Sequence, residues 1–227
     1  MAEKEKESQL PIVAILGGTG KEGPGLAMRW AYAGYPIIIG SRQMEKAQAT
    51  AIELNKKLDL DTILGMKNDQ AALRAEICVL TVVQAAQQAA LEGLKVALQG
   101  KILVDATARV DFRDPRPPAP PSAARSAQQL LGPGVRVVAA FQNVPAHALR
   151  KNLGQEIECD VLVCSDDIKA ANKVITLAKA VGMNAYYAGN LDNALVVEGI
   201  TSLLISLNLH YGVKTASIEV TGLEKDV

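Results

Sequence analysis

The sequence contains few of the side chains that enzymes most often use for metal binding and acid–base catalysis. It has only two histidines, His147 and His210, and its three cysteines show no CxxC spacing. Because zinc sites need clustered cysteine and histidine, we predict no metal. The motifs of serine, cysteine and zinc hydrolases are also missing. These absences predict a protein that has no catalytic nucleophile or general base of its own.

Aromatic residues and net charge are scarce as well. Aromatics form 4% of the 227 residues, so the core must consist mainly of Ala, Val, Leu and Ile. The 24 basic side chains are balanced by 24 acidic ones. Without a basic patch, nucleic acid is not expected as a partner. Three cysteines with no pairing pattern are typical of reduced thiols in a cytoplasmic protein.

The chain has one long apolar stretch, residues 194–211, which Glu198 interrupts. The stretch is marginal in length for a membrane span and contains a charge, so we predict no membrane segment. A helix that is apolar on all sides is typical of a core or a subunit interface. Residues 1–10 are polar and lack the apolar region of a signal peptide, so we predict a flexible tail there.

Short apolar runs alternate with helical patterns through the first 145 residues. Runs rich in Val, Ile and Leu, such as residues 77–83, are typical of strands buried on both faces of a parallel sheet. The alternation predicts an α/β fold with a doubly wound, mostly parallel, Rossmann-type sheet in residues 11–145. The predicted strands are 11–16, 36–40, 62–66, 77–83, 101–105 and 135–140, and the predicted helices are 23–34, 42–58, 68–74, 85–98 and 122–131.

A smaller C-terminal α/β part is predicted for residues 146–227. Its predicted elements are helix 146–152, strand 158–164, helix 167–181, strand 184–188, helix 191–211 and strand 217–221. Asp166 and Asp167 are expected to cap helix 167–181 rather than to form an acid–base pair. The proline-rich segment 114–121 can be neither helix nor central strand. It is either an exposed connector or the edge of a lid over the ligand crevice.

A glycine motif directly follows the first apolar run. Gly18-x-Gly20-x-x-Gly23 lies between the strand predicted at 11–16 and the helix that comes next. Glycines at such a junction let the backbone turn tightly and approach a pyrophosphate, which the helix N-terminus also attracts. The context favours a dinucleotide site, although a tight turn without a ligand would have the same pattern.

The second strand ends in a hydroxyl and a cation. Ser41 and Arg42 stand where NAD-binding Rossmann sites have an Asp or Glu for the ribose, and Lys46 lies one helical turn further on. A guanidinium can bind a 2′-phosphate through charge-assisted bidentate bonds. The pattern therefore favours NADP over NAD. The alternative is that Ser41 only caps the helix at 42–58 and Arg42 is a solvated charge.

An uncharged segment, residues 139–147, follows the sixth predicted strand. It contains the amides of Gln142 and Asn143 and a fixed bend at Pro145. By the strand-order rule it overhangs the same crevice as the glycine loop. Its chemistry suits a planar, partly polar ring held by hydrogen bonds. The alternative is an ordinary turn between a strand and a helix.

Six segments resemble the NADPH-dependent reductases of coenzyme F420, and they extend over nearly the whole chain. These segments are Ile15-Leu16-Gly17-Gly18-Thr19-Gly20-x-x-Gly23, Ile39-Gly40-Ser41-Arg42-x-x-x-Lys46, Gly65-Met66-Lys67-Asn68, Ala140-Phe141-Gln142-Asn143-Val144-Pro145-Ala146, Asp160-Val161-Leu162-Val163-Cys164-x-Asp166-Asp167 and Ala188-Gly189-x-Leu191. The resemblance implies a homodimer that transfers hydride reversibly between NADP(H) and the deazaflavin of F420.

The resemblance also implies roles for individual residues, carried over by position. Thr19, Gly20, Lys21 and Glu22 would hold the pyrophosphate, and Ser41, Arg42 and Lys46 would hold the 2′-phosphate. Gln84, Gln88 and Ala146 would line the nicotinamide half of the cleft. Gln142 and Val144 would position the deazaflavin, and Ala216 with its neighbours would close over it. The part from residue 146 onward would contribute to the second-cofactor cleft and to dimerisation.

Two other functions remain open at this stage. One is an NADPH-dependent reductase of a flavin or of a small imine or ketone. The other is a non-catalytic module that binds NADP and signals through a partner, since a fold alone does not define a function.

Overall fold

The computed structural model describes residues 10–223, and the predicted tail lies outside them except for Leu10. The strands form one sheet of eight. Each is short and rich in aliphatic residues, as a sheet covered on both faces requires. The strands are β1 Val13–Leu16, β2 Ile37–Ser41, β3 Ile63–Lys67, β4 Ile77–Leu80, β5 Ile102–Asp105, β6 Arg136–Ala139, β7 Val161–Ser165 and β8 Ala185–Tyr187.

The strand order is β3-β2-β1-β4-β5-β6-β7-β8, which is the doubly wound arrangement that the alternation predicts. All neighbouring strands are parallel except β6 and β7. The order reverses between β1 and β4, and in open α/β sheets ligands bind in the crevice at such a switch point. Because β7 runs the other way, its carboxyl end points away from that crevice.

Helices cover both faces of the sheet. One core cluster contains Ile15, Ile39 and residues of the first, second and sixth helices, and the other contains Leu16, Leu80 and residues of the remaining ones. Alternate residues of each strand thus enter opposite cores. The helices are α1 Gly23–Tyr32, α2 Met44–Leu58, α3 Asn68–Arg74, α4 Gln84–Leu94, α5 Ala123–Leu131, α6 Ile168–Lys179 and α7 Ala194–Tyr211.

Two predicted C-terminal elements are wrong. The helix expected at 146–152 is a short 3₁₀ turn, Ala148–Arg150. Residues 217–221 form no strand; instead Asp160 donates its N–H to the Ile218 oxygen, and its carboxylate accepts from the Val220 N–H. Side-chain acceptance of that kind takes the place of a strand ladder. The cap is confirmed for Asp167, whose carboxylate accepts from the N–H groups of Lys169 and Ala170, whereas Asp166 forms an ion pair with Arg125 instead.

Two residues of α1 connect the C-terminal part to the sheet. The guanidinium of Arg29 is buried and donates to main-chain oxygens between residues 149 and 181. The indole N–H of Trp30 donates to the Leu177 oxygen across 2.8 Å, and its ring meets Phe141 edge-on. A buried guanidinium needs this many acceptors to offset its desolvation. The predicted division at residue 145 therefore falls within one continuous, internally bonded sheet.

The long apolar helix α7 has two apolar faces. Ala194, Val197 and Leu204 are buried on one side of the helix. Val196 and Leu203, on the opposite side, are 65% and 60% exposed. Within residues 10–223, α7 is the one helix long and apolar enough to cross a membrane by length and composition, and a third of it is buried in the protein.

Candidate active site

The glycine loop connects β1 to α1 at the switch point. Gly17 has φ +73°, a conformation that favours glycine, and the Gly18 N–H donates to the oxygens of Ile15 and Gly40. A Cβ on Gly18 would lie 2.6 Å from the Ile15 oxygen, and one on Gly23 would lie 2.6 Å from the Gly18 Cα. A Cβ on Gly20 would meet nothing closer than 3.6 Å. Gly18 and Gly23 are thus required for the turn, whereas a Cβ at Gly20 would make only ordinary contacts with the protein.

Asn68 supports the glycine loop from the neighbouring strand connection. Its Oδ1 accepts the Gly17 N–H across 3.1 Å, and a Cβ on Gly40 would lie 2.7 Å from the same oxygen. The side chain therefore passes over Gly40 to reach the loop. The sequence indicates Asn68 only as part of a family-like segment and does not predict this contact.

The remaining loop residues lie around the start of α1. Thr19 is partly buried, and Lys21 is exposed beside Gly20. Glu22 occupies the N-cap position but makes no side-chain hydrogen bond to the helix. Its Oε1 is buried without a partner among the described residues, and burial raises the pKa of Glu22 to about 8. The raised pKa favours the neutral carboxyl, which does not repel an approaching phosphate.

Ser41 and Arg42 occupy the end of β2. The Ser41 hydroxyl is buried and accepts the N–H of Gln43, but α2 begins only at Met44 with Gln43 as its N-cap. The alternative in which Ser41 caps a helix starting at residue 42 is therefore wrong. Arg42 and Lys46 are exposed, and within residues 10–223 neither forms an ion pair. Both cations are free to bind an anion.

Gln84 and Gln88 lie on the exposed side of α4, which begins directly after the turn that follows β4. Gln88 donates to the Glu92 carboxylate one turn further along, across 2.9 Å. Gln87, between them, is buried and turns the other way, towards β5. The start of α4 thus presents two amides to solvent near the switch point and one to the interior.

Asp105, the last residue of β5, was assigned no role from the sequence. It is fully buried and accepts from the Gln87 side chain and from the Thr107 N–H. Desolvation raises the pKa of Asp105 to about 6 and outweighs these hydrogen bonds, and the charge of buried Glu198 adds to the effect. The residue lies one strand away from the switch point. A local sequence signal could not identify it, because its burial depends on α4 and α7.

Glu198 of α7 completes this buried polar cluster. One carboxylate oxygen accepts the Ala123 N–H, and the other accepts from Arg109 Nε across 2.9 Å. Burial raises the pKa of Glu198, which these donors oppose. Ser202 donates to the Arg116 oxygen across 2.8 Å, so the proline-rich segment lies against the same helix. The charge within the apolar helix therefore fastens the β5–α5 connection to α7.

The segment after β6 has a strained backbone. Phe141 is fully buried at φ +74°, a conformation that side chains other than glycine adopt only when their surroundings enforce it. The strain turns the chain so that the Gln142 side-chain Nε2 donates to the Asp105 main-chain oxygen across 3.0 Å. The Gln142 Oε1 is buried and has no partner among the described residues. Val144 is buried beside it.

The two remaining predicted residues lie at the margins of this region. Ala146 is partly buried, two residues beyond Val144. Ala216 follows α7, and its N–H donates to the Asn208 side chain across 3.0 Å. No group of three potential metal ligands occurs within residues 10–223.

Five loops therefore lie side by side along one edge of the sheet, since their strands are adjacent and parallel. In spatial order they are the loops after β2, β1, β4, β5 and β6. The glycine loop at the switch point and the cations after β2 are typical of a Rossmann-type dinucleotide-binding protein. Comparisons with known proteins identify its family. Residues 12–109 match the family model described as NADP oxidoreductase, coenzyme F420-dependent.

Curated relatives extend the similarity beyond the matched segment. The chain is 41% identical to the F420-dependent NADP reductase of Methanothermobacter marburgensis over 93% of this chain and 98% of that protein. It is 40% identical to that of Methanocaldococcus jannaschii over 93% and 99%. The chain belongs to the F420-dependent NADP reductase family.

Solved structures agree with this assignment. A crystal structure from Arthrobacter sp. FB24, provisionally described as an F420-dependent NADP reductase, superposes with a TM-score of 0.77. It is 25% identical over 93% of this chain and 99% of that chain. The NADP-bound pyrroline carboxylate reductase of Plasmodium falciparum has a TM-score of 0.60 at 12% identity, over 89% and 66%, and shares the fold alone.

Proposed function

We propose that this protein catalyses reversible hydride transfer between NADP(H) and coenzyme F420. The main support is the single crevice edge, which brings the glycine loop, the cations after β2 and the uncharged Gln142 segment onto adjacent strands. When bound, the nicotinamide and the deazaflavin supply the redox chemistry. The chain then needs only to bind the two rings, align them and exclude water. The scarcity of histidine and the absence of a hydrolase motif agree with a protein that binds and aligns two cofactors and leaves the redox chemistry to them.

The NADP half is built from the first two strand connections. Thr19, Gly20 and Lys21 receive the pyrophosphate, because a glycine at position 20 lets the backbone approach the phosphates closely. Glu22 does not oppose this binding while it is protonated. The α1 N-terminus, which has no side-chain cap, adds its dipole.

The 2′-phosphate binds beside the end of β2. Ser41 offers a hydroxyl, and Arg42 and Lys46 offer uncompensated positive charge. A carboxylate at this position would accept a ribose hydroxyl but would repel a phosphate. The site therefore prefers NADP(H) to NAD(H).

The hydride-transfer half is uncharged. Gln84, Gln88 and Ala146 line the nicotinamide side, and Gln142 and Val144 contact the deazaflavin. Because the Gln142 Nε2 is already bonded to Asp105, its free Oε1 is available to accept from a ring N–H. Residues 11–145 provide most of the NADP site in this proposal, and residues 146–227, with Ala216, contribute to the second cleft.

The direct test uses the purified protein with NADPH and a panel of acceptors. Oxidised F420 is added first, and loss of its visible absorption band is followed together with NADPH oxidation. We expect both signals to fall together and to reverse when NADP is added to reduced F420. Turnover with FMN or a small imine but not with F420 would contradict the proposal. Tight NADPH binding without turnover of any acceptor would favour a sensing module.

We further propose that the protein is a cytoplasmic homodimer that pairs through α7. Val196, Ile200, Leu203 and Leu207 are spaced i, i+4, i+7 and i+11, so they form one stripe opposite the buried face. Such a stripe on a soluble protein calls for a covering surface. A second copy offers the same apolar stripe, and twofold pairing is the commonest form of assembly. The free, buried cysteines are consistent with a reducing compartment.

Sedimentation analysis tests the pairing. The wild-type protein is expected as a dimer, and Leu203→Glu is expected as a folded monomer because it places a charge in the interface. Ile52→Glu is the matched control, since Ile52 is an exposed apolar residue on α2. A monomeric wild-type protein, or an L203E variant that still dimerises, would remove this proposal. Binding of the wild-type protein to lipid vesicles would instead assign α7 to a membrane surface.

A further inference from the structure

Lys67 is the last residue of β3, and it lies directly beside Ser41. Strands β2 and β3 are parallel and in register, with Ile37 opposite Ile63 and Ser41 opposite Lys67. Residues opposite one another in such a pair project from the same face of the sheet. Lys67 therefore emerges on the same face as the Ser41 hydroxyl, one strand further towards the edge.

The packing of α2 identifies that face. Ile37, Ile39 and Ile63 belong to the same core cluster as Ala47 of α2. A Cβ on Gly65 would collide with the main chain of Ala47 and Gln48, so the first turns of α2 lie directly on β3 at this point. Lys67 is two residues beyond Gly65 and faces the same side, which brings it to the start of α2.

The start of α2 carries the other cations of the proposed phosphate site. Arg42 precedes the helix and Lys46 lies in its first turn, so Lys67 of β3 adds a third cation at the end of the sheet where Ser41 lies. None of the three side chains makes a hydrogen bond or an ion pair within residues 10–223. Glu45 and Asp69 are the nearby carboxylates in the first turns of α2 and α3, and they too are exposed. Three exposed cations without ion-pair partners, grouped near one hydroxyl, are typical of an anion site.

We propose that Lys67 is a third cationic ligand of the NADP 2′-phosphate and helps to set the preference for NADP(H) over NAD(H). The inference rests on the proposed NADP site and adds to it a residue from a strand that the glycine motif does not reach. The Arg42 guanidinium suits a bidentate contact, while the ammonium of Lys67 adds a point charge from the other side. NADP(H) and NAD(H) differ only in the 2′-phosphate. The contribution of Lys67 to phosphate binding can therefore be measured by comparing the affinities for the two cofactors.

The test is a calorimetric titration of the wild-type protein and of Lys67→Gln with NADPH and with NADH. We expect about a tenfold weaker NADPH affinity for Lys67→Gln and an unchanged NADH affinity, because a hydrogen bond to a charged group is lost. Lys67→Arg should restore most of the affinity. Lys57→Gln is the control, since it removes an exposed lysine from the far end of α2.

A second titration uses adenosine phosphates as probes. Lys67→Gln should bind adenosine 2′,5′-bisphosphate more weakly than the wild-type protein does, whereas its affinity for ADP should be unchanged. The affinity of the variant for adenosine 2′,5′-bisphosphate should also depend less on salt concentration. If Lys67→Gln reduces NADPH and NADH affinity equally, or leaves NADPH affinity unchanged, the role of Lys67 is refuted. A wild-type protein that does not prefer NADPH would refute the underlying NADP site. Preference lost in Arg42→Ala but kept in Lys67→Gln would refute only the present inference.

Discussion

The side-chain amide of Gln142 donates to the main-chain oxygen of Asp105 across 3.0 Å. A carbonyl oxygen can only accept, so this contact determines which end of the amide is the nitrogen. The other end, Oε1, remains buried without a partner among residues 10–223. An orphaned buried acceptor of this kind is costly unless a ligand satisfies it. The contact connects the end of β5 with the segment that is proposed to receive the deazaflavin.

Replacing Gln142 tests that connection. Gln142→Leu keeps the volume but removes both polar ends, so we expect the KM for F420 to rise about tenfold while the KM for NADPH stays unchanged. Steady-state kinetics with each cofactor varied in turn would measure the split. Gln84→Leu, on the nicotinamide side, serves as the comparison. Equal changes in both KM values after Gln142→Leu would mean that the residue supports the fold rather than the second cofactor.

The glycine loop allows a matched pair of substitutions. Gly23→Ala places a Cβ 2.6 Å from the Gly18 Cα, so we expect it to lower the free energy of unfolding by about 1–3 kcal/mol. Gly20→Ala meets only ordinary contacts and should change that free energy by less than about 1 kcal/mol. It should nevertheless abolish NADP binding, because the methyl group occupies the phosphate side. Denaturant titration and calorimetry separate the two effects; normal NADP affinity in folded Gly20→Ala would place the pyrophosphate elsewhere.

Arg42 provides the simplest test of cofactor preference. Arg42→Ala removes a charge-assisted bond to the 2′-phosphate, so NADPH affinity should fall by about 1–3 kcal/mol. NADH affinity should hardly change, because NADH has no phosphate at that position. Direct binding measurements on both cofactors check this. A loss of equal size for NADH would show that Arg42 acts on the adenosine or on the structure of α2.

Asp105 should make stability depend on pH. Burial raises its pKa from 3.8 to about 6 in the folded protein, so the folded state binds a proton more tightly than the unfolded chain does. The free energy of unfolding is therefore highest at pH values below the pKa of Asp105 in the unfolded chain. It falls as pH rises through about 6, by about 3 kcal/mol in total.

Asp105→Asn removes this titration. The free energy of unfolding of the variant should be flatter between about pH 4 and about pH 8 than that of the wild-type protein, by roughly the same 3 kcal/mol. Urea denaturation at each pH measures it. Asp61→Asn, at an exposed position, should leave the wild-type profile unaltered. Parallel profiles for wild-type and Asp105→Asn would mean that folding does not shift the pKa of Asp105.

Local pattern was sufficient for most of the fold. Continuous aliphatic runs such as β1 and β4 can be stable only between two layers of helix, and their alternation with helical segments leads to a doubly wound sheet. The role of glycine in a tight turn is visible in the sequence, because glycine adopts a positive φ without steric cost. Gly17, at φ +73°, is an example. The glycine loop and the Ser41–Arg42 pair were therefore identifiable from sequence. Their assignment to NADP remains a prediction until the proposed titrations are made.

Contacts between distant segments were not accessible in the same way. The burial of Asp105 depends on α4 and α7, the position of Lys67 beside Ser41 depends on strand register, and the free Oε1 of Gln142 depends on a carbonyl 37 residues away. Residues 217–221 alternate like a strand, yet Asp160 bonds two of their backbone groups, the Ile218 oxygen and the Val220 N–H, and no ladder forms. The hydrophobic period and the turn residues involve only residues that are close in sequence, so the sequence alone is enough to identify them. Desolvation, register and hydrogen-bond partners arise only when separate segments pack together, and the folded structure alone determines them.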